Sequence, residues 1–367
     1  MTNDFPPRSG GIEQMVSHLV GTLPPDSVMV LASPWQGATE HDRALPYPVR
    51  RVHRRPLLPT PALLRTVRAA ASDHQADVVV FGSAWPLAEL AGRLDLPTLG
   101  ITHGREAGMA RYGLAPLMRR LARGCTAMTV LSDYTAGLLA PVLDRLTDLH
   151  RLPGGVDTQT FTPDGPDLRE QHGLEPDQPV VVCISRLVRR KGQDVLIEQW
   201  PRVRAAVADA HLLIVGTGPL EEELTDRVAE LGLGDAVTLT GEVPWADLPA
   251  YYRTGDAFAM PCRTRLLGTD VEGLGLVFLE AQACGVPVVV GDSGGAPQTV
   301  VQGETGVVVD GHDPDSVYAA VVGLLSDPGR LRTMGEAGTE FVRRQWEWSV
   351  IGQRLLRAIQ AAARGGA

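Results

Sequence analysis

Lysine is almost missing from this chain. Its 34 basic residues are 33 arginines and one lysine, Lys191. A general preference for arginine accounts for the 33 but not for the exception, which lies in "SRLVRRKGQD" (185–194) beside Arg186, Arg189 and Arg190. Cysteine is scarce as well. Cys125, Cys183, Cys262 and Cys284 are scattered, with no CxxC pair and no Cys/His cluster, which argues against a structural zinc site and for reduced thiols in a cytoplasmic protein. No apolar run reaches the roughly 18 residues a membrane-spanning helix needs. The opening "MTNDFPPRSGG" has neither a basic start nor an apolar stretch, so no secretory signal is expected. Basic charge is in deficit, with a net charge of −9, which excludes a nucleic-acid binder as the reading of the whole chain. The deficit is uneven. Residues 1–160 hold 16 Arg against 14 Asp plus Glu, or +2, and the remainder holds 18 basic against 29 acidic residues, or −11. Two basic groups, "RRVHRRP" (50–56) and "MRRLARG" (118–124), lie in the first part. They read either as solvated surface or as attraction to an anionic partner such as a lipid headgroup.

What is present is a repeated grammar. "VMVLAS" (28–33), "DVVVFGS" (77–83), "PTLGITHG" (97–104) and "AMTVLS" (127–132) are short apolar runs separated by helical stretches. The pattern restarts with "PVVVCIS" (179–185), "HLLIVGTG" (211–218), "AVTLTGEV" (236–243), "AFAMPC" (257–262), "PVVVGDS" (287–293) and "GVVVDG" (306–311). Such runs form buried parallel strands covered by helices on both faces. The fold class is therefore α/β, with two doubly wound, Rossmann-like domains facing each other, and the cleft between them is the expected site. An N-terminal domain is expected over 1–160 and a C-terminal one over 175–345, with the Pro/Gly/Asp-rich 152–178 as linker. A terminal helix at about 346–367 is expected to pack back on the first domain.

Chemistry gathers at strand ends, where open α/β sheets bind ligands. Ser185 and Arg186 close one strand, and "KGQD" leads into a helix. Arg186 and Lys191 can converge there on a diphosphate, helped by the helix N-terminus; the plain alternative is a basic surface patch. "IVGTGPL" (214–220) is a strand followed by a glycine turn at Gly216 and Gly218, without the full GxGxxG fingerprint, which disfavours a dinucleotide enzyme. In "DVEGLGLVFLEAQACG" (270–285), Glu272 precedes the turn Gly273, Leu274, Gly275, and Glu280 sits in an otherwise apolar helix. A carboxylate in such a place needs a partner, either a buried ion pair or ligand hydroxyls. Paired carboxylates near glycine N–H groups suit a sugar nucleotide. His103 in "THGREAG" (102–108) ends another strand and is either structural or part of the site.

"SRLVRRKGQD", "GTGPLEEEL" and "VEGLGLVFLEAQACGVPVV" together resemble the retaining family 4 glycosyltransferases of the GT-B fold. "TNDFPPRSGGIEQ", "FGSAWPLA", "LPGGVDTQTF", "FAMPCRTR" and "SGGAPQTV" resemble, within that family, the actinobacterial phosphatidylinositol monomannoside mannosyltransferases. The likeness runs over nearly the whole chain. It implies a hexosyltransferase that uses a nucleotide sugar, GDP-mannose, needs no metal or other cofactor, and makes an α-(1-6) linkage with retention. Arg186 and Lys191 would clamp the diphosphate, and Glu280 would bond the ribose. Glu272 with the backbone of Gly273, Leu274 and Gly275 would hold the sugar. Gly216 and Val243 would lie by base and ribose, Gly10 and Gly11 would approach the donor phosphate or the acceptor, and His103 would sit by the reacting centre. The implied acceptor is an anionic glycolipid, met by peripheral contact at the inner face of the cell membrane.

The chain departs from that pattern in places. A short apolar strand normally precedes "TNDFPP", so either the chain starts further upstream or the first sheet lacks a central strand. Arg105 stands where the subgroup has His, Gln298 where it has an acid, and "RTRLLG" where it is glycine-rich. These differences bear on sugar and acceptor. A family 4 enzyme acting on a soluble specialised metabolite, and a noncatalytic nucleotide-sugar-binding protein, are the alternative expectations.

Overall fold

Valine and isoleucine runs bounded by glycine or proline become parallel strands because β-branched side chains pack well on a pleated surface buried on both sides. The computed structural model describes residues 1–53, 55–143 and 145–365. They form two units, Met1–Gly155 with Trp348–Ala367, and Val156–Glu347.

The first unit holds β1 (Val30–Ala32), β2 (Val49–Arg51), β3 (Val79–Phe81), β4 (Thr98–Ile101), β5 (Ala127–Val130) and β6 (Asp148–Arg151). Its sheet is in two pieces, β1-β2 and β3-β4-β5-β6. The first two residues lie between the pieces. Thr2 N donates to Leu31 O at 2.9 Å, and Gly82 N donates to Met1 O at 2.8 Å. Beside this short bridge, along Val28–Leu31 and Val78–Val80, runs a cavity of about 620 Å³ walled also by Val16, Leu19 and Ile359. The Met1 ammonium donates to Val80 O at 2.6 Å, and burial pulls its pKa down to about 5. The helix Trp348–Gly365 belongs to this unit: Ile351, Leu355 and Ala358 share an apolar cluster with Met15, Leu19, Leu99 and Ile101.

The second unit holds β7 (Val180–Ile184), β8 (His211–Val215), β9 (Val237–Leu239), β10 (Ala257–Met260), β11 (Val288–Gly291) and β12 (Gly306–Val309). Their order across the sheet is β12-β11-β10-β7-β8-β9, all parallel. This is the Rossmann order, and it reverses between β7 and β10. Trp200, Phe258 and Phe278 fill the layers between sheet and helices. All four cysteines are buried and unpaired, and burial pushes each thiol up to about 12.

The segment expected as a linker differs. Most of 152–178 is packed surface of the second unit, with Val156, Phe161 and Leu174 buried. Arg169 grips Asp256 through both carboxylate oxygens at 3.0 Å, and Leu168 N donates to Thr254 Oγ1 at 2.9 Å. Proline and glycine there shape a wrapped arm. Among the described residues no helix is long and apolar enough to cross a membrane.

Candidate functional site

In sheets of this order ligands bind at the carboxyl ends of the strands beside the reversal point, which here falls between β7 and β10. The β7 loop is laced to its neighbour: Ser185 N donates to Val215 O at 3.0 Å and Leu187 N to Thr217 O at 2.9 Å. The glycine turn after β8 makes this possible. A Cβ on Gly216 would strike Ser185 O, and one on Gly218 would strike Leu187 O. Both glycines thus serve a close backbone approach between loops. Gly216 also pairs with Gly241, two residues before the half-buried Val243. Gln193, fully buried, donates to Ser185 Oγ at 2.7 Å and to Arg186 O at 3.2 Å, which fixes the backbone from which Arg186 projects. Arg186 itself is exposed.

Lys191 does not point to water. It is buried, and its Nζ lies 2.7 Å from Glu272 Oε2. Arg190 joins them, with its Nε 3.7 Å from Glu272 and its Nη1 3.4 Å from Asp270. Arg190 is therefore part of the cluster; its adjacency to the lone lysine was the one signal in the sequence. Arg189 faces outward to Glu223 at 2.6 Å. Glu272 is held at both ends of its backbone. Its N–H donates to Ser293 Oγ at 3.2 Å, and its carbonyl accepts from Gly295 N at 3.0 Å. Gly275, at φ 83°, opens the helix Leu276–Ala283, and the space over Gly273 is open. Glu272, Leu274 and the first N–H groups of that helix thus share one turn.

Glu280, on helix 276–283, meets the hydroxyl of Tyr252, which donates to its Oε2 at 2.7 Å. Burial raises the carboxyl pKa, and the hydrogen bond from Tyr252 opposes the rise. Burial and the facing carboxylate push the Tyr252 phenol well above its ordinary range, so it stays a donor. Tyr252 was invisible in the sequence because its partner lies 28 residues further along the chain.

In the first unit, His103 follows β4. Its Nε2 is 2.6 Å from Gly82 O, which can only accept, so Nε2 carries the proton. Nδ1 is buried with no hydrogen-bond partner among the described residues. The Glu106 carboxylate accepts from His103 N at 3.0 Å and fixes the ring's backbone. Gly10 and Gly11 begin the helix Gly11–Gly21, where the Glu13 carboxylate folds against Gly10 and pairs with Arg8 at 2.8 Å. Arg8 also meets Asp4 at 3.2 Å, and Asp4 accepts from Ser83 Oγ at 2.9 Å. The sequence-predicted residues thus fall into two groups, Gly10, Gly11 and His103 in the first unit and the rest in the second.

A Rossmann-ordered sheet with cationic side chains, two carboxylates and glycine turns at its reversal point, following a second parallel α/β unit, defines a nucleotide-dependent transferase of the GT-B fold. Two family models match, Glycosyltransferase Family 4 over residues 9–160 and Glycosyl transferases group 1 over residues 164–341. The chain is 44% identical over 368 residues to the GDP-mannose-dependent alpha-(1-6)-phosphatidylinositol monomannoside mannosyltransferase of Mycolicibacterium smegmatis, covering 97% of this chain and 96% of that protein. It is 40% identical to the GDP-mannose-dependent monoacylated alpha-(1-6)-phosphatidylinositol monomannoside mannosyltransferase of Corynebacterium glutamicum, covering 99% and 98%. The crystal structure of Anabaena HepE in complex with UDP superposes with a TM-score of 0.79 at 18% identity, covering 98% of this chain and 99% of that one. Sucrose-phosphate synthase from Thermosynechococcus elongatus gives 0.72 at 22% identity, covering 95% and 92%. The chain belongs to glycosyltransferase family 4.

Proposed function

We propose that this protein transfers mannose from GDP-mannose to a phosphatidylinositol monomannoside, forming an α-(1-6) bond with retention. The identity of 44% over 97% of the chain to an enzyme bearing that name supports the donor and acceptor. The observation that carries the chemistry is the buried Lys191–Glu272 pair at the reversal point, 2.7 Å apart. A diphosphate at the end of β7 would meet Arg186 and draw the Lys191 ammonium toward it. Glu272, released from that pairing but still fixed by Ser293 and Gly295, would accept sugar hydroxyls beside the N–H groups of 273–275. Glu280 would accept from the ribose, with Gly216 and Val243 nearby.

In this mechanism the bond from the anomeric carbon to the diphosphate oxygen breaks as the acceptor hydroxyl attacks from the same face. The hydroxyl's proton passes to the departing diphosphate. Negative charge grows on that leaving group, and the fixed cations Lys191 and Arg186 stabilise it more in the transition state than in the ground state. Gly10 and Gly11 would approach the donor phosphate or the acceptor. His103 Nδ1, buried and without a hydrogen-bond partner among the described residues, would lie open to a substrate hydroxyl. The chemistry asks nothing further of a metal or cofactor once these cations are in place.

For the lipid contact, the two basic groups are unequal. Arg51 is committed inside the fold, to Asp42 at 2.7 Å and to the carbonyls of Ser33 and Pro6. Arg50 pairs with Asp73 at 3.3 Å, Arg55 stacks on Trp35 at 3.6 Å, and Arg54 lies outside the described residues. The stretch 111–123 carries exposed Tyr112 and Leu114, with Arg111 beside Tyr112 and with Arg119 and Arg123 exposed further along it. Exposed aromatic and aliphatic side chains on a segment rich in cations suit an anionic interface. Nuclear magnetic resonance of the purified product tests the reaction: an α-linked mannose on the 6-hydroxyl is expected, and a β-linkage or another position would overturn it. Flotation with phosphatidylinositol-containing vesicles tests the contact. Binding should fall with salt and with Tyr112→Ser/Leu114→Ser, and unchanged binding in that variant would remove this surface from the account.

A further inference from the structure

We infer that Tyr252 is a positioning residue that keeps Glu280 ionised and aimed for the nucleotide ribose. The inference rests on the reading of Glu280 as the ribose contact. Glu280 is the lone charged side chain in LVFLEAQA, the helix Leu276–Ala283. Among the described residues no ion pair reaches it, and its carboxylate accepts a hydrogen bond from Tyr252. The groups facing the pair are Cys284, which caps the end of the same helix, and Cys183 on β7, both thiols pushed up to about 12 and hence uncharged at neutral pH. Neighbouring Arg253 is turned away, donating to the carbonyls of Pro166 and Thr162. The carboxylate is thus stabilised by a neutral donor and by no cation.

The donor is rigid. Tyr252 is fully buried, its ring edge-on to Phe161 at 5.9 Å and tilted against Phe258 at 5.7 Å, and Phe258 in turn meets Phe278 on the helix that carries Glu280. The aromatic stack sets the hydroxyl's position relative to that helix. With Oε2 held by the phenol, the remaining carboxylate lone pairs are left for the vicinal hydroxyls of a ribose. A carboxylic acid in the same place would lose acceptor capacity and would compete as a donor. Ribose recognition by Glu280 therefore requires the ionised form, and the Tyr252 hydroxyl is the group that opposes its protonation.

The test compares GDP with 2′,3′-dideoxy-GDP by calorimetry on the full chain between pH 5 and 8. In the parent protein GDP should bind more tightly, and the ratio should shrink on acidification as Glu280 takes up a proton. Tyr252→Phe keeps the ring and its packing. It should reduce the GDP preference several-fold at neutral pH and move the midpoint of its pH dependence upward by about one unit or more, the size expected for a lost hydrogen bond to a charge. A purely structural role would lower the melting temperature and leave ratio and midpoint in place, and that result would overturn the proposal. Glu280→Gln separates the two layers. If it keeps the full preference for GDP, the ribose reading fails and the proposal with it. If it loses the preference while Tyr252→Phe retains ratio and midpoint, the ribose reading stands and the role of Tyr252 is refuted.

Discussion

Lys191 and Glu272 face each other at 2.7 Å inside a cluster that also holds Arg190 and Asp270. Their opposed charges give opposed predictions. Lys191→Ala should lower kcat by roughly 2–4 kcal/mol of transition-state stabilisation, as for other electrostatic stabilisers. Lys191→Arg should also lose much of the activity, because a planar guanidinium does not replace a compact ammonium in a buried pocket; turnover at the parent rate in either variant would remove Lys191 from the reaction. Glu272→Gln should reduce transfer at least a hundredfold and yet bind GDP several-fold more tightly, since the amide no longer competes with diphosphate for Lys191. Weaker GDP binding in that variant would contradict the pairing. Leu267 makes a different point. It is 94% exposed and adopts φ 56°, a conformation that costs a non-glycine residue about 1–2 kcal/mol. Leu267→Gly should raise stability by up to about 1 kcal/mol after the entropy of the unfolded glycine is subtracted, read by urea denaturation. At this scale the sequence exposed the oddities, one lysine and one acid in an apolar helix. It hid the partner of that acid, since Tyr252 carries no local pattern that marks it.

Among elements, the strands with continuous apolar runs were readable and those without were not. β2 (VRR) and β6 (DLHR) lie at sheet edges, half solvated, and their charges mask them. The arm 156–178 read as a linker because proline, glycine and aspartate mark turns; its anchors, Phe161 and the Arg169–Asp256 pair, depend on residues far along the chain. β1 and β3 stand in separate pieces of the sheet, and the Met1 ammonium between them is buried. Its pKa is about 5 in the fold against 8.0 unfolded. The unfolded chain binds the extra proton between those values, so stability should rise with pH from about 5 to about 8, by at most about 1.4 kcal/mol per unit, and level off on either side. Acetylating the amino group should flatten that rise in urea titrations. An added stretch of four or five β-branched residues ahead of Met1 should stabilise the unit by entering the 620 Å³ cavity, where an equal Gly/Ser stretch should not. Equal stability of the two extended chains would show that the cavity does not accept a strand.

Over the whole molecule, two parallel α/β units, a family 4 match on the first and a group 1 match on the second, and 44% identity across 97% of the chain converge on one enzyme class. The fold was legible because strand and helix periodicities repeat twice with the same grammar. Substrate choice was not, since no residue in the described site reads the base or the sugar by pattern alone. The most direct measurement is mass spectrometry of phosphatidylinositol monomannoside incubated with the purified full chain and either GDP-mannose or UDP-glucose. The account predicts the gain of one hexose with GDP-mannose, little or none with UDP-glucose, and none in Lys191→Ala. A folded protein that binds GDP but adds no hexose from either donor would contradict it.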